Sequence, residues 1–399
     1  MIRRPFRILL AVIMWLIIIA GLATVIAPQF LDRVYYRGPL SPHFDGARFF
    51  NPDGEDTLAP PTGGSRAGFF WRYLTGNDGR PVWPTSVSVP QAKPVARVTG
   101  DAMVVTWVGH ATVLIQTQGF NILTDPIWAE TAGPLGFGPA RVTRPGIALA
   151  DLPKIDLIVV SHNHYDHMDL ATLKTLWDRD RPTIITSLGN DAILRSAGIE
   201  ASALDWGQVE GFPRCPADAT CEPPIAAVHV TRNHHWGSRW FADRNRALWS
   251  SFVVMLPGGN IFFAGDTGLG DGRWPAEAAA LGPVRLAILP IGAFRFVPGQ
   301  MGTGSHIGPI EAVKVHQGLG SPTALPIHWG TFRLSYEAFD TPPRMLAALM
   351  RCTGGDPAAF APRAIGRPFS VPPVRPVPQR NDAETPEACA GRPEVARLR

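Results

Sequence analysis

The sequence predicts an α/β fold, a layered domain of sheets and helices carried behind an N-terminal apolar helix. Three observations support this. Short β-branched runs alternate with amphipathic stretches between about residues 100 and 350; histidines and aspartates recur just past the ends of those runs; and a charge-free stretch precedes everything else. A chain of 399 residues with 45% apolar and 18% charged content suits a globular protein of one large or two ordinary domains.

The N-terminal element spans residues 1–28. Arg3, Arg4 and Arg7 precede an uncharged stretch from Ile8 to Ala27, which at about 1.5 Å per residue reaches across a hydrocarbon core of about 30 Å. A retained anchor is the favoured reading, with a cytoplasmic N-terminus and an exported catalytic domain, periplasmic in a Gram-negative cell. A cleaved signal peptide is the alternative, because Gly21-Leu22-Ala23 offers a small-x-small site. Residues 29–95 form an irregular lead-in rich in Pro, Gly and aromatics, too aromatic for a solvated linker.

The main domain is expected over 96–370. Strands are predicted at 103–108, 112–117 and 120–124, the last two joined at Gln118-Gly119, then at 155–160, 183–187, 225–231, 249–256, 260–264, 284–290 and 323–327. Helices are predicted at 169–177 with Asp169 as N-cap, 190–197, 309–318 opening at Pro309, and 342–351 with Thr341 as cap. Residues 371–399 read as a Pro-rich disordered tail. Cys215 and Cys221 flank a Pro/Asp/Ala segment and suit a small surface disulfide or two free thiols, whereas Cys352 and Cys389 carry no reading. The formal charge of +4 suits an anionic membrane surface or a phosphorylated substrate. Its basic residues form no stripe with interleaved aromatics, which argues against nucleic acid.

The chemistry is concentrated in Ser161-His162-Asn-His164-Tyr-Asp166-His167-Met-Asp169, directly after the strand that ends at Val160. Imidazole and carboxylate are zinc ligands at similar distances. His162 and His164, two apart in extended chain, point the same way and grip one ion; Asp166 and His167 lie where the chain turns and face a second. Further ligands recur at strand ends: His235 in Asn233-His234-His235-Trp236, Asp266 in Gly265-Asp266-Thr267-Gly268, and His328 before Trp329-Gly330. Strand ends of a layered α/β fold converge on one edge, so separated segments can build one site.

The order His-x-His-x-Asp-His, His, Gly-Asp-Thr and a late strand-end His resembles the metallo-β-lactamase superfamily. That resemblance implies an αββα sandwich with a dinuclear metal centre: His162, His164 and His235 on the first ion, Asp166, His167 and His328 on the second, and Asp266 bridging. His235, next to Trp236, matches the family position better than His234. Trp107-Val-Gly-His110-Ala-Thr-Val-Leu114, Leu123-Thr-Asp125-Pro-Ile-Trp128, Arg144-Pro-Gly146, His235-Trp236, His306-Ile-Gly-Pro309-Ile-Glu311 and Ile327-His328-Trp-Gly-Thr-Phe332 are similar to the N-acyl-phosphatidylethanolamine-hydrolysing phospholipase D family, as are Asn51-Pro52 and Trp71 in the lead-in. The apolar N-terminus matches no motif of that family.

The resemblance implies two zinc ions, with iron or manganese accepted by the same ligands, and a bridging hydroxide as nucleophile on a lipid phosphodiester at a membrane. A lactonase or other small-molecule hydrolase, like the ascorbate-6-phosphate lactonase relatives, is the alternative. Asp125 is expected to receive the free N–H of a ligand histidine, or else to form an Asp-Pro turn. His306, before the helix opening at Pro309, is expected to contact phosphate or protonate the leaving oxygen, and His110 to support it. Gly133–Gly138 and Phe294-Arg-Phe296 are candidate linings for acyl chains or ordinary packing. His43, His229 and His316 are expected to be structural. Oligomeric state is not legible in the sequence.

Overall fold

The computed structural model describes residues 3–54, 68, 71–72, 77–212, 226–240, 242–297, 304–374 and 384–398. Helix α1 (Arg3–Leu31) stands apart from the domain, with every apolar side chain from Ile8 to Ile26 exposed. It is long and apolar enough to cross a membrane.

Two sheets follow. The first runs β13 (Phe369–Ser370), β1 (Met103–Gly109), β2 (Thr112–Thr117), β3 (Phe120–Thr124), β4 (Leu157–Val160), β5 (Thr183–Ser187) and β6 (Ser202–Leu204) in spatial order. The second runs β12 (Thr323–Ile327), β11 (Val284–Pro290), β10 (Asn260–Phe263), β9 (Ser251–Met255), β8 (Ala226–Thr231) and β7 (Val209–Phe212). Each sheet is part antiparallel meander and part parallel: β1 to β3 and β7 to β10 pair antiparallel, while β3 to β6 and β10 to β12 pair parallel.

Alternation along the strands sets the layers. Val105, Trp107, Val113, Ile115, Val159 and Ile185 from the first sheet meet Val228, Phe252, Val254, Ile261, Phe263 and Ile288 from the second. The opposite faces are apolar too, as parallel strands covered by helices require. Leu114, Leu123, Ile158 and Ile184 pack under Leu173 and Leu176 of α2 (Leu170–Asp180) and Leu194 of α3 (Asn190–Ser196). Val253, Phe262, Ala287 and Leu289 pack under α4 (Trp274–Ala279), α5 (Pro309–Gly318) and α6 (Thr341–Cys352). The result is helix, sheet, sheet, helix. Each fully buried Leu, Ile or Phe in these layers contributes about 1.5 to 3 kcal/mol.

Asp169 caps α2 as expected, its side chain accepting from the backbone N–H groups of Ala171 and Thr172. Helix α5 opens at Pro309, with the Glu311 carboxylate accepting from the Gly308 N–H. Thr341 is not the cap of α6. It is already helical, and Asp340 occupies the cap position without bonding there, its carboxylate instead accepting from Arg344 at 3.1 Å. The short elements β6, β7, β13 and α4 escaped the sequence reading because two to six residues carry too little periodicity.

The tail differs most from expectation. Residues 384–398 are not disordered: α7 (Pro386–Ala390) and α8 (Pro393–Ala396) pack on the helical layer and bury Cys389 and Val395. A Cys352–Cys389 disulfide ties them to α6. Thr385 caps α7 through Ala388 N. Composition pointed to solvation, but four buried anchor residues, Pro386, Cys389, Ala390 and Val395, suffice once a covalent bond has removed the entropy of closing the loop. Cys215 and Cys221 lie outside the described residues.

The loop closed by this disulfide has a sequence separation of 37, for which chain entropy gives a stabilisation on the order of 3 to 4 kcal/mol. Replacing Cys352 and Cys389 by serine is expected to lower the Tm by several degrees and to make it insensitive to reductant. A Tm unchanged from wild type in thermal melts with and without dithiothreitol would contradict the cross-link.

Candidate metal centre

Six chain segments deliver side chains to one edge of the sandwich. Strand β4 runs into Ser161 and the His162–Asp169 turn, β8 into His235, β10 into Asp266 and β12 into His328, while the β1–β2 turn brings His110 and the end of β3 brings Asp125. The backbone turns hard at these places. His110, Asp125 and His328 have positive φ of 51°, 29° and 65°, costly for residues with a Cβ and typical of chain that re-aims a functional side chain. Gly265 (φ 61°) lies where a Cβ would come within 2.6 Å of the Ser161 Cβ, so the ends of β4 and β10 approach this closely only with glycine there.

The gathered groups form two clusters that meet at Asp266. In the first, His162, His164 and His235 bring one ring nitrogen each to a common point, with His162 Nε2 2.8 Å from His164 Nδ1. Two of the three remaining nitrogens are tethered: His162 Nδ1 lies 2.9 Å from Ser161 Oγ, and His235 Nδ1 donates to the Ser305 carbonyl at 2.9 Å. In the second, His167 Nε2 and His328 Nε2 are 3.3 Å apart and each lies 3.1 Å from Asp266 Oδ2, with Asp166 Oδ2 at 3.6 and 3.7 Å. His167 Nδ1 donates to Asp125 Oδ2 at 2.7 Å, and Asp125 also accepts from the Ser161 N–H and hydroxyl. Asp266 further groups with His235 and His306, whose Nδ1 lies 3.8 Å from Asp266 Oδ2.

Electrostatics separate the clusters. Burial holds His162 well below the usual imidazole range and His164 and His235 down to about 3, so these three are neutral at pH 7 with lone pairs free. In the second cluster burial again opposes charge, but the Asp266 and Asp166 carboxylates outweigh it, lifting His328 to about 9 and His167 well above its ordinary value. The same attraction overrides burial to hold Asp166 and Asp266 low. Protons on His167 and His328 thus occupy the place of positive charge.

A divalent cation fits this donor set. His164 Nε2, His235 Nε2 and Asp266 Oδ1 are buried without a hydrogen-bond partner, an arrangement that native interiors tolerate at functional sites. Five imidazoles and two carboxylates are borderline N/O ligands of the kind that zinc, iron and manganese accept.

The residues singled out in the sequence fall as follows. His162, His164, Asp166, His167, His235, Asp266 and His328 are brought together, with His306 beside them. His110 stands behind them, its Nε2 2.9 Å from Asp166 Oδ2, and Asp125 stands behind His167. Asp125 thus does more than turn the chain before Pro126. His234 faces away and pairs with Asp53 at 3.0 Å. His43 pairs with Asp205, and His316 lies 2.8 Å from the Pro322 carbonyl. Sequence reading missed Ser161, the Ser305 carbonyl and Asn51, whose Nδ2 donates to the His235 carbonyl at 2.9 Å. Only the Asn51-Pro52 motif could have signalled that the lead-in reaches the centre.

Comparison with known proteins is concordant. A family profile described as Beta-lactamase superfamily domain matches residues 120–329. An uncharacterized protein of Mycobacterium tuberculosis is 35% identical over 277 residues, covering 67% of this chain and 69% of that one. The N-acyl-phosphatidylethanolamine-hydrolyzing phospholipase D 1 of Caenorhabditis elegans is 35% identical over 268 residues, covering 63% of this chain and 72% of the relative. A possible metal-dependent hydrolase from Veillonella parvula shares the fold at 13% identity with a TM-score of 0.53, over 67% of this chain and 99% of that one. With its strand-end histidines and aspartates gathered as that fold requires, the chain belongs to the metallo-β-lactamase superfamily and is a metal-dependent hydrolase of it.

Proposed function

We propose that the protein is a dizinc phosphodiesterase of the phospholipase D type that cleaves N-acyl phosphatidylethanolamine or a related lipid, releasing an N-acylethanolamine and a phosphatidic acid. The observation that carries this reading is the meeting of both clusters at Asp266 with His306 at the same carboxylate. His162, His164 and His235 would hold one ion and Asp166, His167 and His328 the other, with Asp266 shared. When bound, such a pair of ions supplies activated water at neutral pH and neutralises charge on the phosphate oxygens. The similarity to the C. elegans enzyme supports the lipid class.

The chain's own residues prepare that chemistry. Asp125 and Ser161 fix His167 and His162, and His110 fixes Asp166, so none of the three contacts substrate in this reading. Burial keeps His306 at about 3, hence neutral, with Nδ1 unpartnered. It offers phosphate an imidazole hydrogen bond, and an arriving anion favours the protonated form needed at the leaving oxygen. Beside it a cavity of about 270 Å³ is lined by Phe294, Ile310 and Met345 together with Arg295 and Glu311. This is room for the start of an acyl chain next to a head group. We further propose α1 as a retained anchor with the domain exported, a reading supported by the Cys352–Cys389 disulfide, which belongs to oxidising compartments.

His306→Ala is expected to retain two equivalents of metal yet lose about 10²-fold or more in turnover. Metal analysis and kinetics on one preparation check this, and near-normal turnover removes His306 from the mechanism. Binding of metal to the stripped protein at pH 7 is expected to release protons from His167 and His328. Because both are raised above their ordinary values, affinity should climb with pH by about tenfold per unit for each proton displaced, until the pH passes about 9. Calorimetry in buffers of different ionisation enthalpy measures the protons, and zero release would refute the assignment. Finally, N-acyl phosphatidylethanolamine in micelles should be cleaved well above a short-chain analogue and above a simple lactone. Equal rates on all three, with bis-p-nitrophenyl phosphate as a soluble reference, would sink the lipid reading.

A further inference from the structure

The chain leaving α1 does not trail away from the domain. Asp32 accepts from Arg246 Nε at 2.8 Å and from Arg48 Nη2 at 3.2 Å, Arg33 lies over the Trp240 ring at 4.7 Å, and Tyr35 donates to Asp243 Oδ2 at 2.8 Å. Asp243 is fully buried and also gathers the Ser238 hydroxyl and the Arg239 and Trp240 N–H groups. The same loop grips the metal-site turn: Arg239 Nη1 donates to the Asn163 and Met168 carbonyls at 3.0 and 2.8 Å and stacks on Tyr165 at 4.0 Å.

A second loop is tied to Asp169, at the end of that turn. The Trp128 and Ala129 N–H groups donate to Asp169, the N-cap residue, and a hairpin then closes through Ala132 N to Pro139 O. Its tip leaves Leu135 95% and Phe137 72% exposed. These side chains therefore neither pack on the domain nor line a groove. They are large apolar groups held in the open.

Resting on the reading of α1 as a retained span, we propose that Asp32 and Tyr35 form a latch that fixes the domain against the bilayer α1 crosses, and that Leu135 and Phe137 insert into the same leaflet. The helix continues to Leu31. Asp32 is six residues past Ile26, about 9 Å at helical rise, so the tether is too short for the domain to leave the surface. Because the latch loop grips the Asn163–Asp169 turn through Arg239 and the apolar loop is bonded to Asp169 at its end, both contacts hold the metal-site turn at the bilayer. Tips of this kind reach about 5 to 10 Å into the head-group and acyl boundary.

The test uses the full chain in phosphatidylcholine nanodiscs, with a fluorescent amino acid at position 137 or, as control, at 374. Val374 packs by Gly259, at the opposite end of β10 from Asp266. Quenching by spin-labelled lipid is expected to be about threefold stronger at 137 than at 374, and to fall toward the control in Asp32→Ala/Tyr35→Phe. A position 137 no more quenched than 374, or quenching unaffected by the double variant, overturns the proposal. Tyr35→Phe alone, with circular dichroism and metal content at wild-type values, supplies a milder variant should the double one unfold. Mass spectrometry of the exported chain decides the span itself: loss of the N-terminal segment overturns the proposal at its root. The readout needs no turnover, so a wrong substrate class leaves it standing.

Discussion

Two carboxylates, Asp166 and Asp266, are buried among five imidazoles at the seam of the two sheets, and the rest of the site follows from the need to neutralise them. Removing a carboxylate from water costs several kcal/mol even after relaxation. His167 and His328 meet that cost with protons, and a divalent cation meets it better, because it also satisfies the lone pairs of His162, His164 and His235. The neutral and charged halves are thus two parts of one arrangement. Three histidines kept neutral by burial offer lone pairs; two histidines beside carboxylates hold protons in the place a cation would take.

Such a cluster needs a frame that cannot relax. His328 and His162 sit one and two residues past the ends of fully buried strands, and Asp266, His235 and the rest of the His162–Asp169 turn follow within a few residues of a strand end, so their backbone is pinned to the core. Positive φ at His110, Asp125 and His328 and the glycine-only contact between Gly265 and Ser161 are where the frame bears strain. The hydrogen bonds of Asp125 hold the arrangement from behind. By bonding His167 through Nδ1 it leaves Nε2 to face His328 and Asp266, and by bonding Ser161 it also steadies the residue that touches His162.

Much of this was legible in the sequence for a physical reason. Strands buried on both faces read as unbroken β-branched runs, and eight of the ten expected strands fall within a residue of their expected bounds. The functional residues fall at the punctuation after them, where a histidine or aspartate has no packing role to disguise it. What stayed hidden depends on contacts remote in sequence. Asn51 reaches the His235 carbonyl across 184 positions, and Ser305 contributes a backbone carbonyl that no side chain announces. Cys389 pairs with a cysteine that looked isolated, so a tail with the composition of a solvated segment proved folded along 384–398.

The lead-in and the N-terminal helix belong to the same logic as the centre. The His162–Asp169 turn has a ligand face directed at the seam and a backbone face whose carbonyls, those of Asn163 and Met168, are taken by Arg239. Arg239 is in turn set by Asp243, which also holds Tyr35. A displacement of the segment after α1 therefore reaches the His162–Asp169 turn through two side chains, the buried Asp243 and the half-buried Arg239. Asp243 lies outside the stretches that resemble the phospholipase D family, yet its loss would free both Tyr35 and the backbone N–H groups that set Arg239 against the His162–Asp169 turn.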